Sequence, residues 1–346
     1  FQGSYAAGVY YPDKTKVGWW KNGYPKYFAK VINAPNWIGI DVYCNKAVVD
    51  LNTATIHDFR RTLDMQSGLY NRTVTLTTSK GIKLTINSSR FLTLFQEELG
   101  CIKYSVKLHE HEAQIKICPY IDSSIKNKDS NWNDQFWEYM GQGSDDNFAI
   151  LHNKTSKSEF DLCTYQGVSF YLNSEPSRAY SCKEIEGRIA FEMEVNLAPH
   201  EEVVVEKMGG YCTSLQQPQK KHQNHVKKIV QVALQKGFDA LLDLQKKQWD
   251  KIWEMADISI EGDIKAQQGI RFNIFQLNQT YTGKNPLLNI GPKGFTGEKY
   301  GGSTYWDTEA YCFPFYMATK NELVAENLLN YRYNHLAKAI ENATKL

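Results

Sequence analysis

The 346-residue sequence predicts an antiparallel β-sandwich followed by an all-helical region. Two patterns predict this fold class. Up to about Gly210, apolar and polar residues mostly alternate, which is typical of half-buried antiparallel strands. From about Gln216 onward, apolar residues recur every three or four positions, which is typical of amphipathic helices. Because so many strands follow one another without an intervening helix, the first part is expected to be a large sandwich.

The strands are clearest in a few stretches of the N-terminal part. Ser79-Lys80-Gly81 lies between two alternating runs and predicts the turn of a β-hairpin. The apolar residues of these and the later runs are expected to face the core. They are Val74, Leu76, Ile82, Leu84 and Ile86 in the hairpin, then Ile102, Tyr104, Val106 and Leu108, Val168, Phe170 and Leu172, and Ile189, Phe191, Met193, Val195 and Leu197.

Aromatic residues make up 13% of the chain, and their clusters have two interpretations. They could face a ligand, or they could pack in the core or at an interface. Packing is favoured because large rings contribute the most burial energy per residue. The clusters are Trp19-Trp20, Trp37, and the group Trp132, Phe136, Trp137 and Tyr139.

The run His109-Glu110-His111-Glu112 has the composition of a metal-binding segment. It lies at a predicted strand end, and no third ligand follows it at helical spacing. We therefore predict no metal site here.

Two consecutive helices are predicted after Gln216, and by position they connect the sandwich to the remainder. His222 and His225 are assigned to their solvated side. The apolar stripes are Val226, Ile229, Val230, Ala233 and Leu234, and, after Gly237, Phe238, Leu241, Leu242, Trp249, Ile252, Trp253 and Ala256, with Lys220, Lys221, Lys227 and Lys228 mostly on the solvated side.

Four further helices are predicted in the C-terminal part. Asp263 is a plausible N-cap for the first, which runs through Ile270 to Leu277. The second runs from Thr308 to Met317, the third is capped by Asn321, and the last lies near Leu336 and Ile340. The buried face of the second helix is expected to consist of Tyr311, Cys312, Phe315 and Met317.

Composition excludes several classes of partner. The formal net charge is +2 and the pI is about 8.0, so no general field for nucleic acid or an anionic membrane is present. No signal peptide or long apolar span is recognisable, so no membrane partner is expected. Seven scattered cysteines without a CxxC pair favour free thiols in a reducing compartment, which predicts a cytoplasmic protein.

The run 291–309, GPKGFTGEKYGGSTYWDTE, is the segment in which we expect ligand binding. Its five glycines permit positive φ angles and close backbone approach to a ligand. Asp307 and Glu309 follow at a predicted helix start, where Asp307 could cap the helix and Glu309 could complement its dipole. Trp306 favours the alternative of a sugar site, because an aromatic ring covers apolar C–H faces while a carboxylate accepts hydroxyl hydrogen bonds.

Nucleotide-binding motifs are excluded for this loop. Gly297-Glu298-Lys299-Tyr300 lacks the Gly-Lys-Ser/Thr ending of a P-loop, and no predicted strand precedes it as a dinucleotide fold requires.

Long motifs in this chain resemble glycoside hydrolase family 65, and its maltose phosphorylases in particular. The likeness covers essentially the whole chain. It is carried by 5–11 (YAAGVYY), 33–37 (NAPNW), 263–273 (DIKAQQGIRFN), 288–294 (LNIGPKG), 296–302 (TGEKYGG) and 305–309 (YWDTE).

The resemblance implies an N-terminal β-sandwich domain over 1–212, a helical linker over 213–256 and the start of an (α/α)6 catalytic barrel over 257–346. It implies inverting phosphorolysis, in which inorganic phosphate attacks an α-glucoside and releases β-glucose 1-phosphate. One carboxylic acid then suffices, to protonate the leaving oxygen. The implied partners are a disaccharide and phosphate, with no cofactor and no metal, and the implied assembly is a homodimer.

In the family, the Trp-Asp pair of the WDTE motif binds the glucosyl unit, and we transfer that role to Trp306 and Asp307. Tyr300, Tyr305 and Glu309 are secondary candidates, with Glu309 treated as structural. The family's general acid is expected beyond Leu346, so no catalytic residue is predicted within the chain. About 90 residues follow Ala256, too few for a barrel of twelve helices, so the chain alone is expected to be inactive.

Three alternatives stay open at this point. The complete protein could be a related inverting disaccharide hydrolase, or it could act on kojibiose or trehalose. Family members with those substrates tend to carry Gly-His before the motif, where this chain has Gly301-Gly302-Ser303-Thr304-Tyr305, which favours maltose. The third alternative is a sugar-binding β-sandwich module without catalysis.

Overall fold

A computed structural model describes residues 3–15, 26–291, 294–295, 297 and 304–344, apart from the side chain of Asn342. Sixteen strands lie within these residues. They are β1 (Tyr10–Lys14), β2 (Tyr27–Val31), β3 (Ile40–Cys44), β4 (Ala47–Val48), β5 (Thr55–Asp64), β6 (Leu69–Thr77), β7 (Lys83–Leu92), β8 (Leu99–Leu108), β9 (Ala113–Asp122), β10 (Trp137–Asp145), β11 (Phe148–Thr155), β12 (Asp161–Leu172), β13 (Glu175–Ser177), β14 (Tyr180–Ile185), β15 (Arg188–Leu197) and β16 (Glu202–Thr213).

The strands form a sandwich of two main antiparallel sheets. The larger sheet has the order β10-β11-β12-β16-β8-β7-β6-β5, with β13 paired to β12, and the smaller has the order β14-β15-β9-β3-β4. A separate pair, β1 and β2, completes the described strands. The predicted sandwich is confirmed, and the hairpin around Ser79-Lys80-Gly81 joins β6 to β7 as expected.

The main core lies between the facing sides of the two sheets. Alternate residues of the large sheet, such as Leu84 and Val106, meet alternate residues of the small sheet, such as Ile117 and Phe191, and all are at most 1% exposed. The alternation in the sequence therefore reports which face of each strand is buried.

The aromatic clusters divide between core and surface. Trp37, Phe136 and Trp137 are buried, as the packing interpretation predicts. Trp132 and Tyr139 are 53% and 37% exposed, so they lie outside the core, and packing at an interface stays a prediction for these two residues. Trp132 lies in the connection between β9 and β10, and Tyr139 lies at a β-bulge on an edge strand. Trp19 and Trp20 lie outside the described residues.

The helical region begins with a short 3₁₀ turn, Gln219–Lys221, followed by α1 (His222–Ala256). It continues with α2 (Ile264–Thr280), a π-helical turn (Thr308–Cys312), α3 (Phe313–Thr319), α4 (Glu322–Asn334) and α5 (Leu336–Thr344). The predicted cap of α2 is confirmed, because the Asp263 carboxylate accepts a hydrogen bond from the Ala266 amide at 2.9 Å.

α1 packs along the outer face of the large sheet. Val226 and Val230 contact Tyr165 and its neighbours, while Phe238 and Leu241 join a second cluster built on β8 and β16. The predicted apolar stripes thus face the sheet. As predicted, they belong to two helical segments that meet at Gly237, whose φ of 77° and ψ of 166° are not helical.

A buried carboxylate stabilises the break in α1. Glu206 on β16 accepts a hydrogen bond from the Phe238 amide at 3.0 Å, which satisfies a donor at the start of the second half of the helix. Burial raises the pKa of Glu206, although this hydrogen bond acts in the opposite direction. The sheet therefore supplies the cap that the helix sequence lacks at this point.

Two assignments on the helices are wrong. His222 is 0% exposed and its Nε2 lies 2.8 Å from the Gln217 carbonyl oxygen, while His225 Nε2 lies 3.1 Å from Glu98 Oε1. Neither is on the solvated side, because His222 is four residues before Val226 and continues the buried stripe, and His225 reaches the sheet through Glu98.

The second wrong assignment concerns the predicted buried face after Thr308. Tyr311 and Met317 are 70% and 61% exposed. Cys312 and Tyr316, which are four residues apart, form the buried face of this segment instead.

All seven cysteines are free thiols, as predicted, and six of them are buried. None of the helices in the described part of the chain has the length and apolarity needed to cross a bilayer.

Replacing Gly237 with alanine tests the break in α1. The φ and ψ angles at this position are accessible essentially to glycine alone, so Gly237→Ala is expected to destabilise the protein by about 1–3 kcal/mol. The matched control is Gly269→Ala in α2, where an added Cβ meets nothing within 4 Å, so a gain of up to about 1 kcal/mol is expected. Urea unfolding measures both changes, and equal effects of the two substitutions would contradict the assignment.

Candidate functional site

The predicted ligand segment ends in a tight turn that is anchored on both sides. The buried Thr308 hydroxyl donates to the Ile290 carbonyl oxygen at 2.8 Å, which ties the end of the loop to its beginning. The Thr308 amide donates to the Tyr305 carbonyl oxygen, and the Glu309 amide donates to the Trp306 carbonyl oxygen, both at 3.1 Å. Trp306 and Asp307 therefore lie on a short, hydrogen-bonded segment.

Trp306 and Asp307 place an apolar ring beside a half-buried carboxylate. Trp306 is 71% exposed, and Asp307 is half-buried. Asp307 occupies the N-cap position of the π-helical turn, but its φ and ψ of −55° and −30° are helical and its side chain makes no capping hydrogen bond. An N-cap side chain normally needs an extended backbone to reach the following amides. Within the described residues, no hydrogen bond or ion pair engages this carboxylate.

Arg332 on α4 holds the segment from the other side. Its Nε lies 2.5 Å from Glu309 Oε1, and its Nη2 lies 2.9 Å from Glu309 Oε2, so the two side chains form a bidentate ion pair. The same guanidinium donates to the Thr304 hydroxyl at 2.9 Å and to the Tyr305 carbonyl oxygen. One side chain thus holds residues on both sides of Trp306.

A small apolar core lies beneath this segment. It contains Tyr281, Ile290, Cys312, Tyr316, Val324 and Leu328. The Tyr281 and Tyr316 rings meet edge to face at 5.3 Å, and the Tyr316 hydroxyl donates to the Leu277 carbonyl oxygen at 3.0 Å. Burial raises the pKa of Tyr281 to about 12 and also raises that of Tyr316, so both rings remain neutral. The core therefore supports the segment without adding charge to it.

The glycine loop is only partly described. Gly294 and Gly297 have φ angles of 66° and 79°, in agreement with the expected positive φ. The Phe295 ring packs against Tyr5 with centroids 4.8 Å apart, so the N-terminal segment reaches this loop.

Tyr305, Glu309 and Tyr300 are the remaining candidate residues. Tyr305 is 47% exposed next to Trp306. Glu309 is engaged by Arg332, and Tyr300 lies outside the described residues. Among the described residues, the arrangement combines exposed aromatic surface with a carboxylate that makes no hydrogen bond or ion pair, which suits a neutral polyhydroxylated ligand.

Sequence reasoning missed Arg332. The only signal available was an arginine on the helix that follows the WDTE segment, 23 positions after Glu309. Nothing in the spacing shows that α4 folds back to place the two side chains together.

No metal site is apparent in the described part of the chain, where no group of three or more His, Cys, Asp or Glu side chains could hold an ion. Residues 109–112 connect β8 to β9, and His109 Nε2 lies 2.8 Å from the Thr85 hydroxyl.

Comparison with known proteins matches two successive parts of the chain to domains of one family. Residues 1–252 match the glycosyl hydrolase family 65 N-terminal domain, and residues 271–346 match the family 65 central catalytic domain.

Named relatives are phosphorylases of several disaccharides. A maltose phosphorylase of Bacillus subtilis (strain 168) is 40% identical over 100% of this chain and 45% of its own length. A kojibiose phosphorylase of Caldanaerobacter subterraneus subsp. tengcongensis is 28% identical over 99% of the chain and 44% of its own length. An alpha,alpha-trehalose phosphorylase of Thermoanaerobacter brockii is 27% identical over 100% and 45%.

The chain also matches a solved structure over nearly its whole length. A putative kojibiose phosphorylase from human microbiome matches 99% of this chain and 44% of its own, with a TM-score of 0.88 and 27% identity. The chain therefore spans somewhat less than half the length of these relatives.

The Arg332 contacts can be tested without a ligand. Arg332→Gln is expected to speed amide hydrogen exchange in 305–312 by at least about tenfold, because charge-assisted hydrogen bonds to both ends of the segment are lost. Arg271→Gln is the matched control, since it removes a similar bidentate pair with Asp257 on α2. Exchange in 305–312 that does not respond to Arg332→Gln would show that other contacts hold the segment.

Proposed function

The chain belongs to glycoside hydrolase family 65, and on this premise we propose that it is part of an inverting disaccharide phosphorylase. In this proposal the β-sandwich domain spans 1–212, the helical linker spans 213–256, and 257–346 begins an (α/α)6 barrel. The named relatives, which include maltose, kojibiose and trehalose phosphorylases, support the reaction class.

The proposed reaction transfers a glucosyl group from a sugar oxygen to phosphate. An oxygen of inorganic phosphate attacks the anomeric carbon, the glycosidic C–O bond breaks, and a carboxylic acid protonates the departing oxygen. For maltose the products are β-glucose 1-phosphate and glucose. A base is unnecessary because the phosphate anion is already a nucleophile, whereas an inverting hydrolase must activate water.

The observation that carries the proposal at the site is the pairing of an exposed Trp306 ring with the unengaged Asp307 carboxylate. A pyranose has apolar C–H faces that pack on an indole and hydroxyls that donate to a carboxylate. Asp307 follows Trp306 on the same anchored turn, so the indole and the carboxylate can contact the same sugar ring. We infer that these two residues bind the glucosyl unit, with Tyr305 and Tyr300 as further contacts.

Glu309 has a supporting role in this proposal. Both of its carboxylate oxygens accept hydrogen bonds from Arg332, so neither is available to protonate a leaving group. The chain matches less than half of each named relative. We therefore propose that the general acid and the phosphate-binding residues come from the part of the family sequence that this chain does not match.

Maltose is the proposed substrate. The named maltose phosphorylase is 40% identical to the chain, whereas the kojibiose and trehalose phosphorylases are 28% and 27% identical. Kojibiose and trehalose remain the alternatives, since they carry the same glucosyl group as maltose and differ from it in the linkage to the second glucose.

A titration with maltose tests the role of Trp306 and Asp307. Wild-type chain is expected to bind maltose with a dissociation constant in the millimolar range, and Trp306→Ala or Asp307→Asn should weaken binding by roughly fivefold or more, equivalent to about 1 kcal/mol. Trp132→Ala, which removes another exposed indole far along the chain, is the control and should bind like wild type. Calorimetry gives the constants, and equal weakening by both tryptophan variants would count against the site.

A catalytic assay tests the proposed origin of the acid. The 346-residue chain is expected to release no glucose 1-phosphate from maltose and phosphate, because Arg332 engages the Glu309 carboxylate and Asp307 is assigned to the glucosyl unit. Phosphate-dependent release of glucose 1-phosphate by the purified chain would overturn that assignment.

A further inference from the structure

Three arginines lie on one face of the large sheet where the small sheet does not cover it. Arg72 on β6 and Arg90 on β7 have the same orientation as the core residues of their strands, and Arg61 on β5 is paired with Arg72 on that same face. Arg61 and Arg90 are exposed, and Arg72 is half-buried. We call these three side chains the arginine face.

The strand register brings these charges close together. Arg61 is directly opposite Arg72 across β5 and β6, and Arg72 is directly opposite Ser88 on β7, two residues before Arg90. Directly opposed side chains are about 4.5–5.5 Å apart at Cβ, and diagonal ones are about 7–8 Å apart. Like charges in these positions repel each other, so the arrangement costs stability unless an anion compensates it.

No carboxylate compensates the arginine face within the described residues. Arg188, Arg271 and Arg332 each pair with an acid at 2.5–2.8 Å, whereas no acidic oxygen of the described part of the chain lies within 4.0 Å of the three arginines of the face. Asp41, whose charge raises the pKa of the nearby Tyr104, is already paired with Arg188. Each guanidinium of the face therefore has donors left for an external acceptor.

Aromatic neighbours restrain the guanidinium groups. Arg61 lies over the Phe59 ring with its Cζ 5.3 Å from the centroid, and Arg90 lies over the Tyr70 ring at 4.8 Å. Arg72 lies near Tyr104, whose pKa its charge lowers against the larger opposite effect of burial. The cation–π contacts of Arg61 and Arg90 reduce the side-chain freedom that a ligand would otherwise have to remove on binding.

The charges also affect one another's ionisation. Partial desolvation lowers the pKa of Arg90, the Arg72 charge lowers it further, and Tyr70 acts in the opposite direction. An arginine whose charged form is disfavoured by a second arginine indicates an electrostatic cost that no acid within the described residues removes.

We propose that the arginine face binds a phosphate-type oxyanion, either free phosphate or the phosphoryl group of a sugar phosphate. Arginine presents a planar fork of donors that matches the oxygens of such an anion, and restrained guanidinium groups on neighbouring strands can donate to several oxygens at once. The site lies on the sandwich, away from Trp306, and it does not depend on the proposed function.

The experiment measures phosphate binding to the 346-residue chain by calorimetry and by thermal unfolding at constant ionic strength, with chloride as the reference salt. Wild-type protein is expected to bind inorganic phosphate saturably, with a rise in melting temperature. Arg72→Gln should weaken binding by at least about tenfold, as expected for the loss of one charge-assisted hydrogen bond. Arg60→Gln, the neighbour on the opposite face of β5, is the control and should stay within about twofold of wild type.

A second variant protects the test against a folding defect. The double substitution Arg61→Gln and Arg90→Gln changes the two exposed arginines and is expected to unfold at the wild-type temperature or above in chloride, because the repulsion is relieved. It should lose the phosphate-dependent rise. Competition of glucose 1-phosphate with inorganic phosphate assigns the site to both forms of the ligand.

Three results would overturn the proposal. The first is equal phosphate affinity in wild type and the arginine-face variants. The second is an equal loss in Arg60→Gln, which would indicate a general charge effect. The third is an equal rise in melting temperature with chloride. The Arg72→Gln variant should bind maltose with the wild-type dissociation constant. Failure of the phosphate-site proposal is therefore distinguishable from failure of the proposed function.

Discussion

The docking of α1 against the outer face of the large sheet is the contact from which the helical region continues. Gly167 on β12 leaves space for Val230, since a Cβ there would lie 2.1 Å from Val230 Cγ1. Farther along, Glu206 provides the hydrogen-bond acceptor that the helix needs where Gly237 interrupts it. Apolar contact therefore holds α1 on the sheet, and the Glu206 carboxylate caps the helical segment that follows its break.

Within the helical region, polar contacts determine the shape of the candidate sugar site. Thr308 ties the end of the loop to Ile290, and Arg332 ties residues on both sides of Trp306 to α4. These contacts leave the Trp306 ring exposed, and they do not use the half-buried Asp307 carboxylate. A binding site requires this division, because groups that stabilise the turn cannot also be free to bind a sugar.

The sequence predicted the features that depend on local pattern. Alternation identified the inward face of the strands, as at Leu84 and Phe191, and Asp263 was recognisable as a helix cap. Features that depend on contacts between distant elements were not predictable from spacing. The burial of His222 requires knowing which face of α1 meets the sheet, and the Arg332 ion pair requires knowing how α4 returns beside the loop. The strand register that places Arg61 opposite Arg72 is likewise visible only in the folded sheet.

We propose that Trp306 and Asp307 form the glucosyl-binding surface of a family 65 phosphorylase, and a crystal structure of the chain soaked with maltose tests this role. A pyranose ring is expected to lie against the Trp306 indole, with at least one hydroxyl within hydrogen-bonding distance of the Asp307 carboxylate, at about 2.5–3.0 Å. Maltose bound on the β-sandwich, with the surface of Trp306 empty at saturating sugar, would refute the proposed site.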